Sequence, residues 1–174
     1  LGPSFPTRRS SDLDEALLNI FFGTGLRVGE VEDLKRTDLK ENDLGTYLDV
    51  NVYKKGYRYI NSTRRIPIKS DCAECIDNYI KLRNDSNGAM FLSKSGQKLS
   101  IRGIQDILKR YGVNGQLLRR NFIASLINKG VNAAEVASLM GHKSAEIELK
   151  YFDLNKDYEH SAFKTLSELY NKAK

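Results

Sequence analysis

The stretch Gly23-Thr24-Gly25-Leu26-Arg27-Val28-Gly29-Glu30-Val31 sets how this chain is read. Before it, Leu13, Ala16, Leu17, Ile20 and Phe21 recur at helical spacing and make one apolar face. Gly23 stops that helix, and Thr24 is placed to cap a second one whose inner face runs through Val31 and Leu34. Arg27 begins this second helix on the same face, at i with Val31 at i+4 and Leu34 at i+7. A guanidinium in a first helical turn opposes the helix dipole, and on an apolar stripe it is costly to bury unpaired. Both costs fall if an anion sits between it and the helix N-terminus.

Past Leu34 the period changes from helical to alternating. Leu48, Val50 and Val52 share one side of residues 47–53, and residues 63–68 read as a partner strand ending near Pro67. The pair is a β-hairpin with a long basic tip, crowded by Lys54, Lys55, Arg58, Arg64 and Arg65. Such a ribbon is either a solvated charged surface or one that enters a DNA groove and tracks phosphates.

Helices then resume. Asp71 and Glu74 form a capping-box pattern, and Cys72, Cys75, Ile76 and Tyr79 make the buried stripe behind it. The Cys-x-x-Cys spacing also suits redox or metal chemistry, but no second pair completes a zinc site, and free thiols on a buried stripe fit a reducing, cytoplasmic setting. Another helix follows Ser100, with Ile104, Ile107, Leu108 and Tyr111 inward. The next spans about residues 117–129 and stops at Gly130. It repeats the first pattern: Arg119 leads Phe122, Ile123 and Leu126 at i+3, i+4 and i+7. Either arginine alone could be paired with a carboxylate. The repeated placement sets beside that reading, on equal terms, one in which each holds phosphate, which a guanidinium fork matches bidentately.

Asn132 and Glu135 form a second capping box, with Val131 and Val136 as a hydrophobic staple. Gly141 ends that helix, so His142 stands just beyond its C-terminus, and Tyr151 follows nine residues later. A final helix over about residues 156–171 carries an apolar stripe of Tyr158, Ala162, Phe163, Leu166, Leu169 and Tyr170.

Composition agrees with one domain. The chain has 174 residues, 40% of them apolar and 29% charged, as in a soluble globular protein. No apolar run approaches the roughly 18 residues of a membrane span, and no secretory pattern opens the chain. A net charge of +6 favours a polyanionic partner. Residues 1–11 hold two of the three prolines and no periodicity, and read as a disordered tail. The stretch Pro6-Thr7-Arg8-Arg9-Ser10-Ser11-Asp12-Leu13 also resembles translated sequencing-adapter read-through, which points to a non-native end.

Taken in order, these motifs resemble the boxes of the tyrosine recombinases, the phage integrase and Xer family. Thr24 to Val31 is similar to T-G-L-R-x-x-E-L, and Leu117-Leu118-Arg119-Arg120-Asn121-Phe122-Ile123-Ala124 to H-x-L-R-H-x-F-A. Leu139-Met140-Gly141-His142-Lys143-Ser144 is similar to L-L-G-H-x-S, with Tyr151 where the nucleophile stands. Two positions depart from the pattern: Gln116 and Arg120 replace the two histidines of the second box.

The resemblance implies a mainly α fold with a small antiparallel hairpin or sheet, a catalytic domain over residues 12–174, and no N-terminal core-binding domain. It implies a site-specific recombinase acting on double-stranded DNA with neither metal nor cofactor. The implied catalytic set is Arg27, Lys55, Gln116, Arg119, His142 and Tyr151. Lys54 competes with Lys55, because twelve positions separate Lys55 from Pro67, more than in the usual family hairpin. Lys54, Arg58, Arg64, Arg65, Arg120 and Lys143 are the expected DNA contacts. The implied assembly is a homotetramer on DNA, near the nucleoid, with the last helix docked on a neighbour. The rivals are a non-catalytic or truncated DNA-binding relative and a topoisomerase that nicks and reseals one duplex.

Overall fold

The computed structural model describes residues 8–52 and 63–141. Helices dominate these residues: α1 (Arg8–Thr24), α2 (Val28–Glu32), α3 (Ser70–Arg83), α4 (Ile101–Arg110), α5 (Gly115–Asn128) and α6 (Ala133–Met140). Three strands, β1 (Leu39–Asn42), β2 (Gly45–Asn51) and β3 (Thr63–Pro67), make one antiparallel sheet in the order β1-β2-β3. The mainly helical architecture with a small antiparallel sheet is the one the sequence implied. No helix of the described residues is long and apolar enough to cross a membrane.

Helix α1 is the spine. Its stripe of Ala16, Leu17, Ile20 and Phe21 is fully buried and packs against α3 and α5. Facing it are Cys72, Ile76 and Tyr79 of α3 and Leu118, Phe122 and Leu126 of α5. Burying each such large apolar side chain contributes about 1.5–3 kcal/mol, so this three-helix contact dominates the stability of the fold. Helix α1 starts at Arg8, so residues 8–11 belong to it rather than to the tail expected up to Ser11. Burial also pushes the Cys72 thiol up to about 12, which removes it from thiolate chemistry at neutral pH.

The sheet has one strand more than the hairpin read from the sequence. In β2, Leu48 and Val50 face the core, Leu48 opposite Leu39 of β1 and Ile66 of β3. Strand β1 escaped notice because Leu-Lys-Glu-Asn carries one apolar residue and its outer edge is charged. It turns into β2 where Asn42 Oδ1 accepts from the Leu44 amide at 2.9 Å, a local turn that asparagine favours.

Several helix ends differ from the sequence reading. Thr24 closes α1 instead of opening α2: its hydroxyl donates to the Ile20 carbonyl at 2.6 Å and accepts from the Leu26 amide at 3.3 Å. The expected Asp71–Glu74 box is displaced, since the extended residue before α3 is Lys69 and Asp71 already lies in the first turn. Tyr111 is 51% exposed rather than inward. Helix α4 ends at Arg110, so Tyr111 leaves the stripe and its hydroxyl donates to Asp14 at 2.8 Å. Asn132 caps α6 where the sequence placed the start, accepting from the Ala134 amide, and both Val131 and Val136 are buried.

Past α3, the loop 84–90 is tied down by Arg83, whose side chain is 0% exposed. Its Nε and Nη2 donate to the Asp85 carboxylate, and its Nη atoms donate also to the carbonyls of Asn87, Ala89 and Met90. The pairing holds the Asp85 carboxyl well below the usual carboxylate range.

Candidate functional site

The site is assembled where the α1–α2 turn, α5 and the end of α6 meet. The turn is tight because Gly25 has φ +60°, a left-handed conformation that L side chains rarely adopt. Space demands glycine as well: a Cβ there would stand 2.6 Å from Phe122 of α5. This close approach brings the Gly25 carbonyl to Arg119, whose Nη1 donates to it at 2.7 Å. The other end of the same guanidinium donates from Nη2 to the Met140 carbonyl at 2.9 Å, at the last turn of α6. Arg119 therefore clasps two segments that are far apart in sequence.

Arg119 is not in the first turn of its helix, as the sequence reading had it. Asn114 caps α5 by accepting from the Leu117 amide at 2.9 Å, so the helix starts at Gly115 and Arg119 lies in the second turn. Gly115 permits that start, since a Cβ on it would meet Val28 at 2.7 Å. The helix dipole is thus not what strains Arg119. Burial first, then the charge of nearby Arg27 and that of Arg64, lower its guanidinium to about 10, while Glu30 acts the other way.

Arg27 also differs from expectation. It is the residue before α2, with extended backbone, and its side chain is 53% exposed rather than buried on the stripe. Its amide donates to Glu30 Oε2 at 2.8 Å, and its Nη1 lies 3.4 Å from Glu30 Oε1. Glu30 is buried, and its Oε1 also accepts from Arg64 Nη2 at 2.8 Å. Two guanidinium groups, Arg27 and Arg64, therefore share one carboxylate, and Arg119 lies near enough to feel the charge of all three. Among the described residues no carboxylate lies within ion-pair distance of Arg119. The cluster carries surplus positive charge at a partly open surface, the setting in which a phosphate is held.

Residues 7–157 match the phage integrase family. The chain belongs to that family. It is 31% identical over 141 residues to a protein of Staphylococcus carnosus named tyrosine recombinase XerC, covering 74% of this chain and 45% of that protein. It is 31% identical over 161 residues to the XerC of Pseudomonas aeruginosa, covering 86% of this chain and 49% of the relative. The chain thus spans about half the length of these curated relatives. The fold is similar to that of XerA recombinase, with a TM-score of 0.66 and 21% identity over 99% of this chain and 65% of the other. It is also similar to XerH recombinase bound to difH substrate, with a TM-score of 0.66 and 19% identity over 91% of this chain and 48% of that one.

Within this family member, the remaining expected residues divide into three groups. Gln116 and Arg120 are exposed on α5, and Gln116 lines a groove with Val28, next to Arg27. Arg65 is exposed on β3, lies over the Tyr47 ring at 5.3 Å and reaches Asp49 at 3.7 Å. Lys54, Lys55, Arg58, His142, Lys143 and Tyr151 lie outside the described residues, as do the last helix and residues 1–7.

One expected DNA contact is corrected. Arg64 points inward, its side chain 4% exposed, and is bonded to Glu30 and to the Leu139 carbonyl. Along β3 the burial alternates, with Thr63 and Arg65 outward and Arg64 inward, so strand register decides which of two adjacent arginines can meet solvent. Glu30 is the residue that sequence reasoning passed over. Its signal was present as the glutamate of the first box, three positions after Arg27.

Proposed function

We propose that this chain is the strand-cutting part of a site-specific DNA recombinase that works through a covalent phosphotyrosine. The observation that carries the reading is the surplus charge at Arg27 and Arg119: two guanidinium groups on one surface, with donors left over for a phosphate. Membership of the phage integrase family supports it. So do relatives named tyrosine recombinase and a structural neighbour that is a recombinase bound to its substrate.

In this reading Tyr151 Oη loses its proton and attacks a scissile phosphate. The bond from phosphorus to the 5′ oxygen breaks, leaving a 3′-phosphotyrosine and a free 5′-hydroxyl. A phenol of pKa about 10 needs help to react at neutral pH. Arg27 and Arg119 stabilise the charge on the non-bridging oxygens, and Gln116 donates to one of them. Lys55, or Lys54 in its place, gives its proton to the leaving 5′ oxygen. His142 bonds the phosphate or takes the tyrosine proton. Attack by a second 5′-hydroxyl reverses the step on a new strand. Because the covalent bond keeps the phosphodiester energy, the cycle requires neither ATP nor a metal. Arg65, Arg120 and the basic hairpin track phosphates outside the reacting centre, so binding weakens steeply with salt. Four copies act together, with the last helix docked on a neighbour.

The test is covalent capture. Randomised nicked duplexes are incubated with the chain, and those that stay attached in denaturant are sequenced. Wild type is expected to enrich one site. Tyr151→Phe is expected to capture none while binding that site with nearly unchanged affinity. Binding without capture by wild type defeats the enzyme reading and leaves a DNA-binding relative. Relaxation of supercoiled DNA without strand exchange favours the topoisomerase-like alternative.

A further inference from the structure

Arg64 is buried, charged and assigned no part in the chemistry above, yet it bonds both to α2 and to the end of α6. It stands on β3, the strand that returns from the basic hairpin. Its Nη2 donates to Glu30 Oε1 at 2.8 Å, and its Nε to the Leu139 carbonyl at 2.9 Å. Glu30 in turn accepts from the Arg27 amide at 2.8 Å. Leu139 lies in the last turn of α6, three residues before His142. The fit around Arg64 is close. At Gly141, the α6 cap at φ +64°, a Cβ would stand a tight 3.1 Å from Arg64 Nη1.

We propose that Arg64 is a positioning residue: with Glu30 it forms a buried brace that sets Arg27, the end of α6 and strand β3 in mutual register for the reaction. The inference rests on the functional reading above. The physical argument is one of rigidity. A buried ion pair is a poor source of net stability, because desolvating two charges offsets most of their attraction. What it does supply is direction. The bonds at Nε and Nη2 leave the guanidinium little freedom, and Glu30 is held from two sides. A lysine in its place keeps the charge but has a single nitrogen, which cannot match the spacing of Glu30 and the Leu139 carbonyl. A shift of the phosphate-binding arginine by an ångström is enough to slow an aligned reaction.

The test compares wild type with Arg64→Lys on a nicked duplex that wild type has captured from the randomised pool. At saturating DNA the capture rate is expected to fall about 100-fold. Affinity for that duplex is expected to stay within about threefold, because Arg64 itself meets no phosphate. An unchanged capture rate overturns the proposal, and so does a loss of affinity that accounts for the whole loss of rate. If Arg64→Lys does not fold, Glu30→Gln breaks the same brace with a smaller change and is read by the same two numbers. If wild type captures no duplex, the functional reading falls and inorganic phosphate becomes the probe. Phosphate binding weaker by about tenfold in Arg64→Lys then supports the brace, and equal binding overturns it.

Discussion

Two arginines, Arg83 and Arg119, are drawn into the protein by the same means and end in opposite states. Both donate to backbone carbonyls that a loop or a helix end leaves unused. Arg83 goes further: three carbonyls and both oxygens of Asp85 take up its donors, and none of its side chain meets solvent. Arg119 spends two bonds on carbonyls, faces no carboxylate at ion-pair distance among the described residues, and lies near a second cation. A guanidinium has five N–H donors, so the first is saturated and, among the described residues, the second is not. The contrast separates an arginine whose donors are all used by the fold from one proposed to be held ready for an anion. Surplus positive charge beside a surface is unfavourable in the free protein, and a phosphate relieves it.

Substitution should separate the two roles. The largest effect on stability is expected at Arg83. Arg83→Met strips a buried loop of its donors and is expected to destabilise the fold by about 3–5 kcal/mol in denaturant unfolding. Covalent capture per folded molecule should be unchanged, and a loss of capture in the folded fraction would break the contrast. The second effect, of similar size, is expected at Arg119 but on rate. Arg119→Ala should slow capture by about 100- to 1000-fold, with the unfolding midpoint moved far less than in Arg83→Met. If Arg119→Ala chiefly unfolds the protein, its carbonyl clasp is structural and the two arginines are alike after all. The smallest effect sharpens the picture of how Arg119 is held. Asn114→Ala removes the α5 cap and is expected to cost about 1 kcal/mol of stability while leaving capture nearly unchanged. The carbonyls of Gly25 and Met140, rather than the first turn of α5, would then be what fixes the guanidinium. A capture rate that falls with the cap would assign that task to the helix start.

Much of this was legible along the chain. The α1 stripe, the partners β2 and β3, the buried Cys72 and the Asn132 start of α6 all follow from periodicity and capping, because each signal lies within a few residues of its effect. The start of α5 was legible too, in Asn114, but the nearby apolar run drew the reading toward Leu117. Strand β1 was not, since a short edge strand with one apolar residue has no period to detect. The first-turn placement read for the two arginines is not what the structure shows. Both belong to one cluster, but neither occupies the strained first turn from which they were inferred.

The sequence by itself determined the family and the mainly helical architecture, and it singled out Arg27 and Arg119 as candidates for one anion site, because ordered boxes and helical stripes are local patterns. Only the tertiary structure decided which arginines are buried in ion pairs and which stay open to solvent. Arg64 and Arg65 are neighbours of the same type on one strand, yet one is buried against Glu30 and the other faces solvent. Nothing in their chemistry separates them. The pleat of β3, the buried carboxylate three residues past Arg27 and the open carbonyls at the end of α6 do, and these meet only when the chain has folded.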